Sequence, residues 1–249
     1  MSTTFRPDAA TAALLAPTGR LRASINLGNP ILAGTDPDSG APRGVSVDLA
    51  GLLAQRLGVP LELVSFPAAT KSVDAVTNGV ADIGFFAVDP QRGAEIAFTD
   101  AYLLIEGAYL VRDDSPCRAN EDVDKPGTTV VVGKGSAYDL FLSRELTQAA
   151  FVRVPGAAEV VATLRAGDAD VAGGIRQVLL EVAQRTPGLR VLPGRFMVIR
   201  QAMGLARARG PAAEAALRAF VEDAKGDGHV VAALVRHAVA GATVAPPAA

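Results

Sequence analysis

The sequence has few of the residues on which much catalytic and membrane chemistry depends. One cysteine and two histidines occur among 249 residues, and tryptophan is absent. The single Cys117 excludes an internal disulfide framework and a cysteine-built metal site. No uninterrupted apolar run approaches the roughly 18 residues that span a bilayer. The formal net charge of −2 gives no basic surface for nucleic acid or anionic membranes. We therefore expect no nucleic-acid partner and no membrane insertion.

What is present is the composition of a globular protein, with 49% hydrophobic and 20% charged residues. His229 and His237 lie near the C-terminus on a helical pattern, which predicts a helix-surface role rather than catalysis or metal binding. Cys117 stands among polar loop residues. The sequence thus predicts neither a metal site nor a cofactor.

The first third of the chain alternates strands with helices. Residues 21–27 alternate apolar and polar, which predicts a strand. Leu49, Leu53 and Leu57 form one stripe of a helix that Gly58 ends. This helix is followed by a second strand at 61–66, a short helix ending at Asn78-Gly79 and a third strand at 81–85. This β-α-β-α-β order is typical of a parallel sheet covered by helices.

Two long apolar segments divide the rest of the chain. Residues 102–111 and 195–205 predict strands long enough to cross from one lobe to another, and a second β-α-β series begins at 128. The sequence therefore predicts a first lobe from 1–111, a second lobe from 112–194, and a return to the first lobe over 195–249. The end of the chain, 243–249, is expected to be frayed.

A candidate binding loop follows the third strand. Arg92 is the only positively charged residue between Lys71 and Arg112. Ligands of open α/β sheets bind beyond the carboxyl ends of the strands, and a guanidinium there can hold a carboxylate by two parallel hydrogen bonds. Taken alone, these local features are more typical of a surface arginine in a polar loop than of a ligand-binding arginine.

The motifs around this loop resemble a known family. Gly79-x-x-Asp82-Ile83-Gly84, then Pro90-Gln91-Arg92 and the segment 96–102, are similar to solute-binding proteins of amino-acid ABC transporters, family 3. The likeness covers nearly all of residues 20–237. It implies the α/β type II periplasmic-binding-protein fold, in which two β-α-β lobes are joined by two crossing strands with a ligand cleft between them.

The resemblance also implies a set of ligand-binding residues. Arg92 matches the arginine that grips the α-carboxylate, and donors at the start of a second-lobe helix correspond to Gly135, Ser136 and Ala137. Helix N-termini attract anions, which agrees with this role. The other matching positions are Asn29 after the first strand, Phe85, Phe86 and Ala87 near the ligand's ammonium, and Gly174, Ile175 and Arg176 after a second-lobe strand.

This chain departs from the family pattern where an amino acid's ammonium would be bound. Ile175 occupies the place of the usual acid, so a buried ammonium would have no counter-charge. The departure predicts a carboxylate ligand without a free α-amino group. Arg176 is either a second positive contact, suited to a dicarboxylate or a keto or hydroxy acid, or a solvated helix-start residue. Of Phe85 and Phe86, we expect one in the core and one in the cleft.

We expect a monomeric solute-binding protein without enzymatic activity. It is expected to close about a hinge on a small organic anion and to have an ABC-transporter permease as its partner. The alternatives are an ordinary amino-acid receptor, a cytoplasmic sensor or scavenger, and a cyclohexadienyl-dehydratase-like enzyme with Glu106 as the nominated acid. The resemblance implies the periplasm. Residues 6–16 form a poor export signal, so we expect either a trimmed chain or a cytoplasmic protein.

Overall fold

The computed structural model describes residues 5–248 and divides the chain into two compact units. One unit comprises Met1–Leu104 and Arg200–Ala249, and the other comprises Ile105–Ile199. The chain leaves the first unit within one long strand and returns to it within another. The predicted lobe boundaries after residues 111 and 194 stay a prediction.

The first unit begins with elements in the predicted alternating order. They are α1 (Ala9–Leu15), β1 (Leu21–Asn26), β2 (Gly34–Thr35), β3 (Pro42–Arg43), α2 (Val45–Leu57), β4 (Leu61–Phe66), α3 (Ala69–Thr77), β5 (Ile83–Ala87) and β6 (Ile96–Arg112), of which the last runs on into the second unit.

The second unit repeats the alternation. Its elements are β7 (Thr129–Gly133), α4 (Ala137–Glu145), β8 (Ala150–Val154), α5 (Ala157–Ala166), β9 (Val171–Ile175), α6 (Arg176–Arg185), β10 (Leu189–Val191) and the start of β11 (Met197–Ala206). The chain then completes the first unit with α7 (Pro211–Gly226), α8 (His229–Arg236) and β12 (Ala242–Val244). The mixed α/β class predicted from the sequence is confirmed.

The sheet of the first unit is built around β1. Parallel β4 and β5 flank β1, and β11 pairs antiparallel with β5. Helix α2 buries the predicted leucine stripe, and it ends at Gly58, whose φ of +67° is the left-handed conformation that favours glycine. All five residues of β5 are buried, which fixes where the loop after this strand begins.

The sheet of the second unit has the order β6–β9–β7–β8, with β9 antiparallel to β6 and parallel to β7. Alternate residues of β7 pack on opposite faces. Val130 and Val132 join a cluster with Tyr109 and Leu142, whereas Val131 joins one with Leu164. Side chains of successive strand residues point to opposite faces, so both faces of this strand are buried under helices.

The expectation of a frayed C-terminus is wrong over the described residues. β12 pairs with β6, the Ala245 N–H donates to the Tyr102 carbonyl at 3.1 Å, and the Ala248 N–H donates to Glu222. The pairing depends on hydrogen bonds to a strand far away in the chain, which leave no local sequence signal. Ala249 lies outside the described residues.

The described residues contain no helix with both the length and the apolarity needed to cross a membrane.

A buried acid anchors the start of β5. The Asp82 side chain is fully shielded from solvent, and the Arg22 side chain donates to it at 2.8 and 3.1 Å. The Arg22 N–H donates to the same carboxylate at 2.9 Å, and Arg209 adds a contact at 3.2 Å. One carboxylate therefore ties β1 and β5 to the segment after β11.

Asp82→Asn is expected to lower the free energy of unfolding by about 3 kcal/mol, because it leaves two guanidiniums without their buried counter-charge. Urea unfolding followed by circular dichroism measures this effect. Glu62→Gln is the matched control. It removes an exposed pair with Arg20, and exposed pairs contribute less than about 1 kcal/mol. Equal losses in the two variants would contradict the assigned role of Asp82.

Candidate functional site

The loop after β5 presents Arg92 from a short 3₁₀ turn, Arg92–Ala94. Asp89 shapes the approach to this turn, since its side chain accepts from the Gln91 N–H at 2.9 Å and its carbonyl accepts from the Gly93 N–H. From the other side, the Arg207 guanidinium donates to the Gly93 carbonyl at 3.1 and 2.7 Å. The loop is therefore held by hydrogen bonds on both sides of the candidate residue.

Arg92 itself is buried, with 9% of its surface exposed. Its Nη1 donates to the Ala87 carbonyl at 3.1 Å, so the guanidinium folds back onto the last residue of β5. Burial lowers the pKa of Arg92, and the nearby negative charge of Asp89 opposes that shift. The interpretation as a solvated surface arginine is therefore wrong. The chain places a desolvated cation at the carboxyl end of a buried strand.

Phe85 and Phe86 point to opposite faces of β5, yet protein covers both, and each is 3% exposed. Phe86 packs against a cluster that includes Val76 and Ile96. Phe85 meets the Tyr102 ring edge-on at 6.1 Å between centroids. The expectation that one of the two rings lies open in a cleft is corrected, because each face of β5 has its own apolar cover.

Asn29 forms the turn after β1. Its side-chain oxygen accepts from the Ile31 N–H at 3.2 Å, and its carbonyl accepts from the N–H groups of Leu32 and Ala33. An asparagine side chain that bonds to the backbone two residues on is a typical turn device. Its predicted role in ligand binding stays a prediction.

In the second unit, Ser136 caps α4 and is followed by Ala137, the first residue of that helix. The Ser136 hydroxyl accepts from the Asp139 N–H at 3.1 Å. The Gly135 N–H, expected to be a donor to the ligand, donates instead to the Asp139 carboxylate at 2.7 Å. An internal carboxylate thus bonds to one of the three predicted donors, and the roles of Ser136 and Ala137 stay predictions.

Asp139 is not among the residues predicted for the site, although the sequence carries a signal for it. The spacing Ser136-x-x-Asp139 is that of a capping box, in which an acid at the third helical position reaches back to an unpaired N–H group. Asp139 is 4% exposed and also accepts from the Arg153 Nε at 2.9 Å and from the Ser143 hydroxyl. Its charge is therefore balanced within the second unit.

Ile175 ends β9 and precedes α6 in an extended conformation with φ −69° and ψ 123°. It contributes no polar side-chain group to the helix start. Gly174 is buried, and a Cβ atom there would lie 3.1 Å from the Leu179 side chain, so this glycine permits close packing of α6 against β9. The segment is therefore shaped by apolar packing.

Arg176 belongs to a charged cluster with Glu106 and Arg195. Glu106 accepts from the Arg195 Nη1 at 2.5 Å, and its other oxygen lies 3.6 Å from the Arg176 Nε. Arg176 also donates to the Gly194 carbonyl. Arg176 is thus a partly exposed first residue of α6 that pairs with Glu106, and its role as a second positive contact for the ligand stays a prediction. The three side chains together carry one net positive charge beside Ile175.

Within residues 5–248, no group of three or more His, Cys, Asp or Glu side chains is placed to hold a metal ion.

Comparisons with known proteins agree with this architecture. The model of the bacterial extracellular solute-binding proteins, family 3, matches residues 33–236, and the chain belongs to this family. A glutamine-binding protein of Geobacillus stearothermophilus is 28% identical over 166 residues, which are 65% of this chain and 63% of that protein. The chain thus aligns with less than two thirds of that relative's length.

Two solved structures share the fold. The solute receptor for L-cysteine of Neisseria gonorrhoeae superposes with a TM-score of 0.76 at 21% identity, covering 91% of this chain and 92% of that one. An ancestral amino-acid-binding protein, described as a precursor of cyclohexadienyl dehydratase, gives 0.75 at 22% identity, covering 91% and 98%. The predicted family and the type II periplasmic-binding-protein fold are confirmed.

Asp139 and Arg153 are expected to act as a coupled structural pair. Asp139→Ala should lower the free energy of unfolding by about 1–3 kcal/mol, because it leaves the Gly135 N–H without its partner. In a double-mutant cycle with Arg153→Ala, the two effects should fail to add by about 1 kcal/mol. Lys125→Ala, which breaks the more exposed Lys125–Asp122 pair, serves as the control and should change stability by less than about 1 kcal/mol.

Proposed function

We propose that this protein is the substrate-binding component of an ABC transporter of the amino-acid type, and that it binds a small organic anion through Arg92. The observation that carries the proposal is the buried guanidinium at the end of β5. A desolvated arginine whose donors form a fixed fork is suited to hold a carboxylate in one orientation. Membership of the solute-binding family supports the transport role.

The ligand proposed is a carboxylate without a free α-amino group. Ile175 stands where amino-acid binders carry an acid, and Glu106, on the strand that pairs with β9, is already engaged by Arg195 and Arg176. A buried ammonium without a counter-charge costs several kcal/mol in order of magnitude. The net positive charge beside Ile175 favours a second oxygen-rich group on the ligand, as in a keto, hydroxy or dicarboxylic acid.

An ordinary amino-acid receptor is the second candidate. The names of the similar proteins favour it, because they describe binding of glutamine and of L-cysteine. The two candidates differ in one chemical group, the α-ammonium, so matched ligands separate them. Hinge closure on the ligand, a monomeric state and a permease partner remain predictions made from the family resemblance.

We propose that the protein is not an enzyme. The similar ancestral structure is described as a precursor of a dehydratase, and such chemistry requires a placed acid or base. Glu106 is the acid that the sequence offers for this role. Its carboxylate accepts a hydrogen bond from Arg195 and lies 3.6 Å from the Arg176 guanidinium. Those contacts stabilise it as a charge partner, which fits structural use better than proton transfer.

A thermal-shift screen separates the two ligand classes. Amino acids are compared with keto, hydroxy and plain acids of the same carbon skeleton. A ligand at 100 times its Kd should stabilise the protein by about 2.7 kcal/mol. We expect only amine-free acids to raise Tm. If the free amino acids give the larger shifts, the ammonium argument fails and the protein is an ordinary amino-acid receptor.

Arg92→Ala is expected to abolish binding of any acid found in that screen, and Arg92→Lys to weaken it at least about tenfold, because lysine keeps the charge but loses the two-pronged geometry. Titration calorimetry measures the affinity. Lys71→Ala is the control, since it removes an exposed positive charge from the first unit and leaves the loop around Arg92 untouched. Unchanged affinity in Arg92→Ala would remove the basis of the proposal.

A further inference from the structure

Gln201 on β11 is a buried polar residue whose side chain is incompletely bonded. It is 4% exposed, and its Oε1 is shielded from solvent without a hydrogen-bond partner in the part of the chain that the structure describes. Buried side-chain oxygens nearly always have a partner, because leaving one unpaired destabilises the folded protein. Packing alone therefore does not explain a glutamine at position 201.

Several other buried polar groups of the first unit are satisfied, although the Tyr102 hydroxyl and Glu222 Oε1 also have no hydrogen-bond partner among the described residues. The Ser24 hydroxyl lies 2.7 Å from that of Ser72 and 3.0 Å from the Ser72 carbonyl. The Thr99 hydroxyl accepts from the Met203 N–H at 3.1 Å, two residues along β11 from Gln201. The hydroxyls of Ser24, Ser72 and Thr99 thus have partners, whereas the Gln201 amide oxygen has none.

The register of β11 against β5 places Gln201 directly opposite Ala87. Opposed residues of an antiparallel pair have Cβ atoms about 5 Å apart on the same face of the sheet. Ala87 is also the residue whose carbonyl accepts from Arg92. The Gln201 amide consequently lies on the face of β5 that carries Ala87, at the strand end where the guanidinium is held, and on the opposite face from Phe86.

We propose that Gln201 is a ligand-contacting residue that recognises a neutral oxygen on the carbon next to the carboxylate held by Arg92. This inference rests on the proposed function and deepens it. An amide carries no formal charge, but it offers one acceptor and two donors. Its unpaired Oε1 can accept from an α-hydroxyl, and its Nε2 group can donate to an α-keto oxygen. An ammonium can also donate to Oε1, but it gains no counter-charge there. The specificity is for 2-hydroxy and 2-oxo acids.

The test uses Gln201→Met, which keeps the length of the side chain and removes its polar group. Two matched sets of probes are titrated. One consists of 2-oxoglutarate, 2-hydroxyglutarate, glutarate and glutamate. The other consists of 2-oxovalerate, 2-hydroxyvalerate, valerate and norvaline. Gln55→Met, an exposed glutamine on α2, is the control.

In the set that the wild type binds, Gln201→Met should lower the affinity for the 2-oxo and 2-hydroxy acids about tenfold, which is the effect of one lost hydrogen bond. The affinity for the unsubstituted acid should stay unchanged. The Tm of the ligand-free variant should stay the same or rise, because an unpaired buried polar group has been removed. If Gln201 had only a structural role, the variant would instead have a lower Tm and a lower affinity for all acids alike.

Gln201→Glu provides a second, nearly isosteric variant. An ionised carboxylate cannot donate to a keto oxygen and repels the carboxylate of the ligand, so binding of the 2-oxo acid should fall further than that of the 2-hydroxy acid, which keeps one hydrogen bond. Wild-type protein that binds no acid of either set contradicts the proposed function and this inference with it. Binding that depends on Arg92 but is equally selective in wild type and both Gln201 variants overturns the role of Gln201 alone.

Discussion

Strand β5 is held by an opposite charge at each end, and the proposed ligand chemistry depends on this arrangement. Asp82, just before the strand, is buried between Arg22 and Arg209. Arg92, just after it, is buried against the Ala87 carbonyl and near the charge of Asp89. Because a one-residue slip would move both groups out of their partners' reach, the ion pairs and the apolar strand together fix where the guanidinium lies.

The second unit uses its acids in a different way. Asp139 is balanced by Arg153 and by the Gly135 N–H, and Glu106 is balanced by Arg195 and Arg176. Each carboxylate is thus committed to a contact inside its own unit. The half-exposed pairs of Glu106 contribute little to stability, but they engage a carboxylate that could otherwise bind a ligand's ammonium.

The helices and strands are more predictable from this sequence than the contacts between them. The leucine stripe of α2, the glycine that ends it and the buried strand before Arg92 depend on local periodicity and turn chemistry, and these were predicted. The burial of Arg92, the apolar covers of Phe85 and Phe86 and the pairing of β12 with β6 depend on residues far apart in the chain. No local pattern encodes them, although the spacing from Ser136 to Asp139 was a capping signal that could have been used.

Two positions, one in each unit, bear on the proposed ligand specificity because neither side chain carries a charge. Ile175 offers no charge, and the cluster beside it is net positive. Gln201 offers hydrogen bonds but no charge, and it lies opposite the residue that holds Arg92. A single apolar replacement is compatible with many ligands. An apolar residue in the place of an acid together with a buried amide oxygen without a partner is more restrictive, since the first offers an ammonium no counter-charge and the second can accept from a hydroxyl. The two observations are independent, and the ligand class proposed above depends on both.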